Sequence, residues 1–157
     1  MFKILFATTC LLVVSSAALA QDKIEGKWHC KPTGQQKYDV GDQPDHIFGI
    51  AKGTCDATGN SLNEKSGAWT ETSEVTKTTA ISHGRFIATT DSGDKIFYTY
   101  EVTSSLAKKT GTNKLRITSG TGKYKGIKGS VSCDGTFDDD RNSDWNCTGT
   151  YTTAPAK

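Results

Sequence analysis

The chain has 157 residues, of which 34% are hydrophobic and 23% charged, and its formal net charge is only +2. A charge so close to zero argues against nucleic acid or an anionic membrane surface as the partner. The length allows one domain with its own apolar core.

The first twenty residues have the pattern of a secretory signal peptide. Lys3 supplies the positive start, residues 4–14 form a short apolar run, and Ala18-Leu19-Ala20 is a small-x-small cleavage site. We therefore predict a signal peptide over residues 1–20 and a single mature domain over residues 21–157. No later apolar stretch is long enough to span a bilayer, so we expect a secreted or periplasmic protein.

Four cysteines follow the predicted signal peptide, and an even number in a secreted chain predicts two disulfides: Cys30, Cys55, Cys133 and Cys147. Their spacing lacks the clustering of Cys and His that a zinc site needs, so no metal is expected. Asp140, midway between Cys133 and Cys147, lies in a turn-rich cluster. A hairpin centred there pairs these two cysteines and leaves Cys30 for Cys55.

Apolar residues alternate with polar ones along most of the mature chain, as they do in half-buried strands. Strands are predicted over residues 24–31, 45–54, 68–77, 78–90, 95–103, 115–118, 130–136 and 145–152. Residues 32–44 contain two prolines and two glycines and are expected to form a loop. No helical period of useful length occurs, which indicates an all-β sandwich or barrel.

A glycine-rich stretch over residues 115–133 has the strongest local pattern. Glycines at positions 120, 122, 126 and 129 predict a tight reversal with a compact knuckle around Tyr124. Its sequence Ile-Thr-Ser-Gly-Thr-Gly-Lys-Tyr-x-Gly resembles the glycine turn of the allene oxide cyclase-like barrels, which are related to plant dirigent proteins. Residues 40–55 and 84–94 fit the same family pattern in the same order.

This resemblance implies a single antiparallel eight-stranded barrel with a central cavity. In the plant cyclase, the barrel folds an unstable hydrophobic epoxide with the help of a buried glutamate. No motif of this sequence matches the position of that glutamate, and the two disulfides and the signal peptide depart from the plant enzymes. The resemblance therefore implies the barrel and its cavity without implying the plant reaction.

Candidate ligand-binding residues are those that alternation places on strand faces suited to line a cavity. Tyr98 and Tyr100 share one face, and Glu71 lies in mid-strand beside Trp69, where burial would fit a carboxyl group for acid–base work. The strand over residues 45–54 has two faces, of which one must point inward. We prefer the face with His46, Phe48 and Ile50, because apolar side chains with one polar group suit a small-molecule site. The other face carries Gly49, Ala51 and Gly53.

Motifs for metal or nucleotide chemistry are absent from the sequence. Residues 138–144 carry oxygen-bearing side chains at alternate positions, as a calcium loop does, but they lack its glycine and its final glutamate. A solvated hairpin tip is the simpler interpretation, and no cofactor is expected.

Two functions remain open. In one, the barrel binds a small hydrophobic or aromatic molecule in its cavity, with or without a cofactor-free cyclase or isomerase reaction. In the other, a non-enzymatic module binds or inhibits another protein through its outer face and loops. The oligomeric state is not determined by the sequence.

Overall fold

A computed structural model describes residues 21–153, so the predicted signal peptide and the last four residues lie outside the described part. Eight strands follow one another along the chain: β1 (Asp22–Asp39), β2 (Ile47–Thr58), β3 (Glu64–Val75), β4 (Thr79–Thr90), β5 (Lys95–Ser105), β6 (Thr110–Gly120), β7 (Lys128–Phe137) and β8 (Ser143–Thr152). Each strand pairs antiparallel with the next, and β8 pairs with β1. The predicted all-β fold and the eight-stranded antiparallel barrel are confirmed.

Strand β1 is longer than the sequence pattern predicts. Residues 32–39, expected in a loop, continue the strand and pair with β2. The register shifts between Pro32 and Gly34, so a bulge accommodates the proline, which has no N–H to donate to the ladder. The loop prediction was wrong because a bulge in a barrel wall absorbs a proline that would interrupt a regular central strand.

Both disulfides join residues that face each other across neighbouring strands. Cys30 is opposite Cys55 on β1 and β2, and Cys133 is opposite Cys147 on β7 and β8. All four half-cystines are buried on the inner face of the wall. The predicted pairing is confirmed, and the hairpin turns between Phe137 and Ser143, as the symmetry argument requires.

One end of the barrel is closed by the glycine turn. A 3₁₀ helix over Gly122–Tyr124 follows β6, and the Tyr124 side chain is buried with Leu62 and Ile127. The Tyr124 hydroxyl donates a hydrogen bond to the Leu62 carbonyl oxygen, which ties this turn to the β2–β3 loop. The opposite end carries the β1–β2, β3–β4, β5–β6 and β7–β8 loops. The cavity reaches that end, since Leu106 and Arg141 of these loops belong to its lining.

Candidate functional site

A cavity of about 230 Å³ lies inside the barrel, between the end closed by Tyr124 and the opposite end. Its wall is mostly apolar, with residues of all eight strands contributing. An engineered apolar cavity of about 150 Å³ binds benzene, whereas drug-sized ligands occupy roughly 300–1,000 Å³. The volume therefore suits a molecule of one or two rings.

Aromatic rings lie against glycines of the neighbouring strand around this wall. A Cβ atom added at Gly53 would lie 2.4 Å from the Trp69 ring, and one at Gly84 would lie 2.3 Å from Tyr100 Cζ. The same relation holds between Gly67 and Phe86, at 2.2 Å. Real Cβ atoms do not approach so closely, so each ring occupies the space that a side chain would fill. The glycines keep the rings flat on the wall and the centre of the barrel open.

Three aromatic side chains form an apolar cluster along the cavity wall. The rings of Trp28 and Phe86 meet edge to face, with centroids 4.9 Å apart and an interplanar angle of 89°. Tyr98 lies on the other side of Phe86, with centroids 5.7 Å apart. Both spacings fall in the range that aromatic pairs prefer, so this part of the site offers ring edges and faces to an apolar ligand.

Glu64 forms a buried, hydrogen-bonded pair with Tyr98. The Tyr98 hydroxyl donates to Glu64 Oε1 at 2.5 Å, and Asn60 Nδ2 donates to Oε2 at 2.7 Å. Only 6% of Glu64 is exposed, and burial raises the pKa of its carboxyl group, although the two hydrogen bonds oppose the shift. Because both carboxyl oxygens already have partners, we assign this pair a structural role.

Glu71 forms a second pair with Tyr100, nearer the middle of the cavity. The Tyr100 hydroxyl donates to Glu71 Oε2 at 2.9 Å, and the Ser82 side chain lines the same cavity wall as this carboxyl group. Burial raises the pKa of Glu71, while the hydroxyl groups of these two residues and the more distant positive charge of Arg141 lower it in part. Burial also raises the pKa of Tyr100, so its hydroxyl keeps its proton. Unlike Glu64, Glu71 remains partly accessible.

Arg141 lies at the open end, on the β7–β8 hairpin tip. Its guanidinium carbon is 5.7 Å from the centre of the Phe137 ring, and both residues line the cavity. The tip is held by Asp138, whose carboxylate accepts hydrogen bonds from the backbone and side chain of Asn142 at 2.9 and 2.8 Å. Arg141 itself has a φ of 67°, a left-handed conformation that a residue with a side chain rarely adopts. The expected hairpin tip is thus an ordered turn that carries a cation to the mouth.

The candidate residues chosen from the sequence separate into two groups. Glu71, Tyr98 and Tyr100 line the cavity. The preferred facing of β2 was wrong for His46 and Phe48, because the inner side of this strand carries Gly49 and Gly53, both buried. Ile50 borders the cavity but is 44% exposed. The physical reason is crowding, since the rings of β3 and β4 need the space over small residues, as Trp69 does over Gly53.

His46 and Phe48 lie outside the cavity wall, just before and within the start of β2. His46 Nδ1 is 2.6 Å from Asp42 Oδ1, a hydrogen bond that holds the β1–β2 loop and lowers the pKa of Asp42. Phe48 is half-buried opposite Tyr38 on the outer face. We therefore assign the inner wall of β2 to Gly49 and Ala51.

Several residues of the site had no signal in the sequence. Glu64 lies in a polar stretch between the strands predicted over residues 45–54 and 68–77, but it begins β3. Ser82, Asn113 and Arg141 are single polar residues whose position depends on the barrel closing. Trp69 Nε1 and Asn113 Oδ1 are buried without a hydrogen-bond partner within residues 21–153. Protein atoms cover both, so a ligand reaches neither unless the wall shifts.

Residues 21–153 offer neither a metal-binding cluster nor a membrane-spanning helix. Within this range, no group of three or more His, Cys, Asp or Glu side chains is arranged to hold a metal ion. No helix there has the length and apolar character needed to cross a membrane.

Comparison with known proteins identifies the fold. No protein-family model and no curated protein matches the chain. Among solved structures, the pterocarpan synthase dirigent protein GePTS1 aligns over 95% of this chain and 98% of its own, with a TM-score of 0.55 and 9% identity. Pyocyanin demethylase aligns over 83% of this chain and 99% of its own, with a TM-score of 0.45 and 16% identity. At such identity the first likeness shows a dirigent-type barrel fold alone, and the more specific resemblance to the allene oxide cyclases stays a prediction.

Proposed function

We propose that this protein is a secreted barrel that binds a small aromatic or otherwise apolar molecule in its cavity. The observation that carries the proposal is the cavity itself, whose largely apolar wall includes the Trp28–Phe86–Tyr98 cluster and the hydrogen-bonded Glu71–Tyr100 pair. A few placed polar groups in an apolar pocket are what small-molecule sites use for orientation. GePTS1, which has the same fold, is a pterocarpan synthase dirigent protein. The same type of barrel thus acts on a small molecule in that protein, which supports the proposal.

Secretion is the second part of the proposal. Two buried disulfides are consistent with an oxidising compartment. Together with the signal-like residues 1–20, they support a secreted or periplasmic location.

The acid–base chemistry available in the cavity centres on Glu71. Its carboxyl group has a raised pKa, is partly accessible, and is held in place by Tyr100. A carboxyl group poised closer to neutral pH exchanges a proton with a bound molecule more readily than an ordinary one. If the bound molecule is turned over, we propose a proton-transfer isomerisation or cyclisation at this carboxyl group, with no cofactor required. A substrate converted by the parent protein should then bind to Glu71→Gln without being converted, and unchanged conversion by this variant would refute the role.

A cavity-filling variant tests the binding proposal. Ala51 faces the cavity from β2, whereas its neighbour Lys52 faces outward on the same strand. We expect Ala51→Phe to lower the affinity for 2-naphthol at least tenfold in isothermal titration calorimetry, and Lys52→Phe to leave it within about twofold. Far-UV circular dichroism and disulfide content verify that both variants are folded. Absence of binding in the parent protein, or equal binding by both variants, would contradict a cavity site.

A second candidate function rests on the outer face of β1, β2 and β4. Four apolar residues on these strands or directly after β1 are about half exposed: Tyr38, Val40, Ile50 and Ile81. The strand register brings Tyr38 beside Phe48, and the same row continues through Glu74 of β3 to Ile81 of β4. These exposed apolar side chains, with a carboxylate among them, favour binding of another protein. Ile81→Asp should abolish binding of such a partner while leaving 2-naphthol affinity unchanged, because Ile81 is exposed and does not line the cavity. Loss of 2-naphthol binding instead would argue against two separate surfaces.

A further inference from the structure

The cavity has a cation at its mouth that is not neutralised by the acidic residues around it. Arg141 follows three consecutive aspartates, yet no carboxylate oxygen within residues 21–153 lies within 4.0 Å of its guanidinium nitrogens. The Asp138 carboxylate accepts hydrogen bonds from Asn142, and Asp139 Oδ1 forms an ion pair with Lys109 Nζ at 2.7 Å. The hairpin tip therefore uses two of its acids on other partners.

The conformation of the tip directs this arginine toward the cavity. The backbone N–H of Arg141 donates to the Asp138 carbonyl oxygen at 3.2 Å, closing the turn at a residue with positive φ. The Phe137 ring beneath the guanidinium group orients it further. A backbone conformation that most side chains avoid persists only where the surroundings impose it, and such positions are frequent at ligand sites.

Arg141 and Glu71 line the same cavity. Burial raises the pKa of the Glu71 carboxyl group, and the positive charge of Arg141 lowers it in part. The guanidinium group is therefore the feature of this wall that attracts an anion. Deeper in the barrel, Trp28 and Phe86 are in edge-to-face contact, and the Glu64 carboxyl group is occupied by Tyr98 and Asn60. The site thus has a largely apolar interior with Arg141 at its rim, and Lys37 is also part of its lining.

We infer that Arg141 selects an amphipathic ligand, in which an aromatic body enters the barrel and an anionic oxygen group remains at the mouth on the guanidinium. A carboxylate is the simplest such group, since the planar guanidinium donates two parallel hydrogen bonds to it. This inference rests on the proposed cavity function and narrows its ligand class.

The test compares isosteric ligands that differ in charge. The affinities of 2-naphthoic acid, 2-naphthamide and methyl 2-naphthoate are measured by calorimetry at pH 7 for the parent protein, Arg141→Gln and Arg141→Lys. The matched control is Arg116→Gln, whose arginine lies on the outer face of β6. All four proteins are measured at low and high salt.

We expect the parent protein to prefer the anion over the amide by about five- to tenfold, because the guanidinium is exposed and its pairing is weakened by solvent. Arg141→Gln should remove this preference while keeping the affinity for the amide, Arg141→Lys should keep part of it, and Arg116→Gln should keep all of it. Salt should reduce the preference.

Two results would overturn the inference while sparing the cavity function. One is binding of all three ligands with no preference for the anion, and the other is a preference that survives Arg141→Gln. If none of the three ligands binds and 2-naphthol does not bind either, the proposed function fails and the inference fails with it.

Discussion

The contact between Gly84 and Tyr100 gives the sharpest test of how this wall is built. A Cβ atom at position 84 would lie 2.3 Å from Tyr100 Cζ, 2.5 Å from its hydroxyl oxygen and 2.5 Å from the Thr70 carbonyl oxygen. Gly84→Ala must therefore push the tyrosine ring into the cavity and strain the β3 backbone. Moving the ring also breaks its 2.9 Å hydrogen bond to Glu71.

The magnitude follows from these two effects. Overpacking a well-packed wall destabilises by about 1–3 kcal/mol, and leaving a buried carboxyl group without its hydrogen-bond donor adds about 1–3 kcal/mol. We expect Gly84→Ala to lower the free energy of unfolding by roughly 2–6 kcal/mol in total. A domain of this size has roughly 7–20 kcal/mol of stability, so the variant should still fold.

Urea denaturation with the disulfides intact measures this change, with Gly34→Ala as the matched control. An added Cβ at Gly34 meets Lys52 Cε at 3.1 Å, the end of a flexible side chain that is free to move, so the control should change little. Repeating Gly84→Ala in a Tyr100→Ala background should reduce its effect to the part caused by the Thr70 carbonyl oxygen. An effect below about 0.5 kcal/mol, or one that is equal in both backgrounds, would refute the ring-on-glycine account.

Three further predictions concern the disulfides, the buried carboxyl group and processing. Replacing Cys133 and Cys147 together by alanine should lower the free energy of unfolding by about 2–5 kcal/mol in urea denaturation, and an unchanged midpoint would contradict a stabilising role. Burial raises the pKa of Glu64 in the folded protein above its ordinary value of 4.5. The folded state therefore holds the carboxyl proton more tightly than the unfolded state does, and the free energy of unfolding should fall as the pH rises from 4.5 through the raised pKa. Glu64→Gln should reduce that decline and leave the share that comes from the raised pKa of Glu71, while the outer-face control Glu74→Gln keeps all of it. Parallel pH profiles for parent and Glu64→Gln would argue against the assignment. Mass spectrometry of protein recovered from an expressing cell's exported fraction should find Gln21 at the N-terminus, and an intact residue 1 there would contradict the signal peptide.

Much of the fold follows from local pattern because strand alternation has a period of two. Once Ile96, Tyr98 and Tyr100 are placed on one face, their shared burial in the barrel follows from the pleat alone. The symmetry of the last hairpin likewise determined the Cys133–Cys147 bridge, since antiparallel strands place residues equidistant from the turn opposite each other.

The facing of β2 was decided only by the closed barrel. Alternation offers two faces and does not say which one points inward; the apolar Phe48 and Ile50 appeared the better choice. Closure brings Trp69 over Gly53 and Ser73 against Gly49, and only the small-residue face leaves room for them. The information that selects the face therefore lies in the side chains of the neighbouring strand.

The polar groups of the site also depend on contacts between distant parts of the chain. Glu64 and Tyr98 are 34 residues apart in the chain, and Glu71 and Tyr100 are 29 residues apart. Each pair joins β3 to β5 across β4, and all four side chains point into the barrel. Arg141 reaches the mouth because β7 and β8 end there beside Phe137. The sequence by itself determined most of the strands, their alternation and the disulfides, but not the extension of β1 over residues 32–39. Which polar residues meet in the cavity was decided by the order and closure of the barrel, since side chains so far apart in the chain come together only when all eight strands are in register.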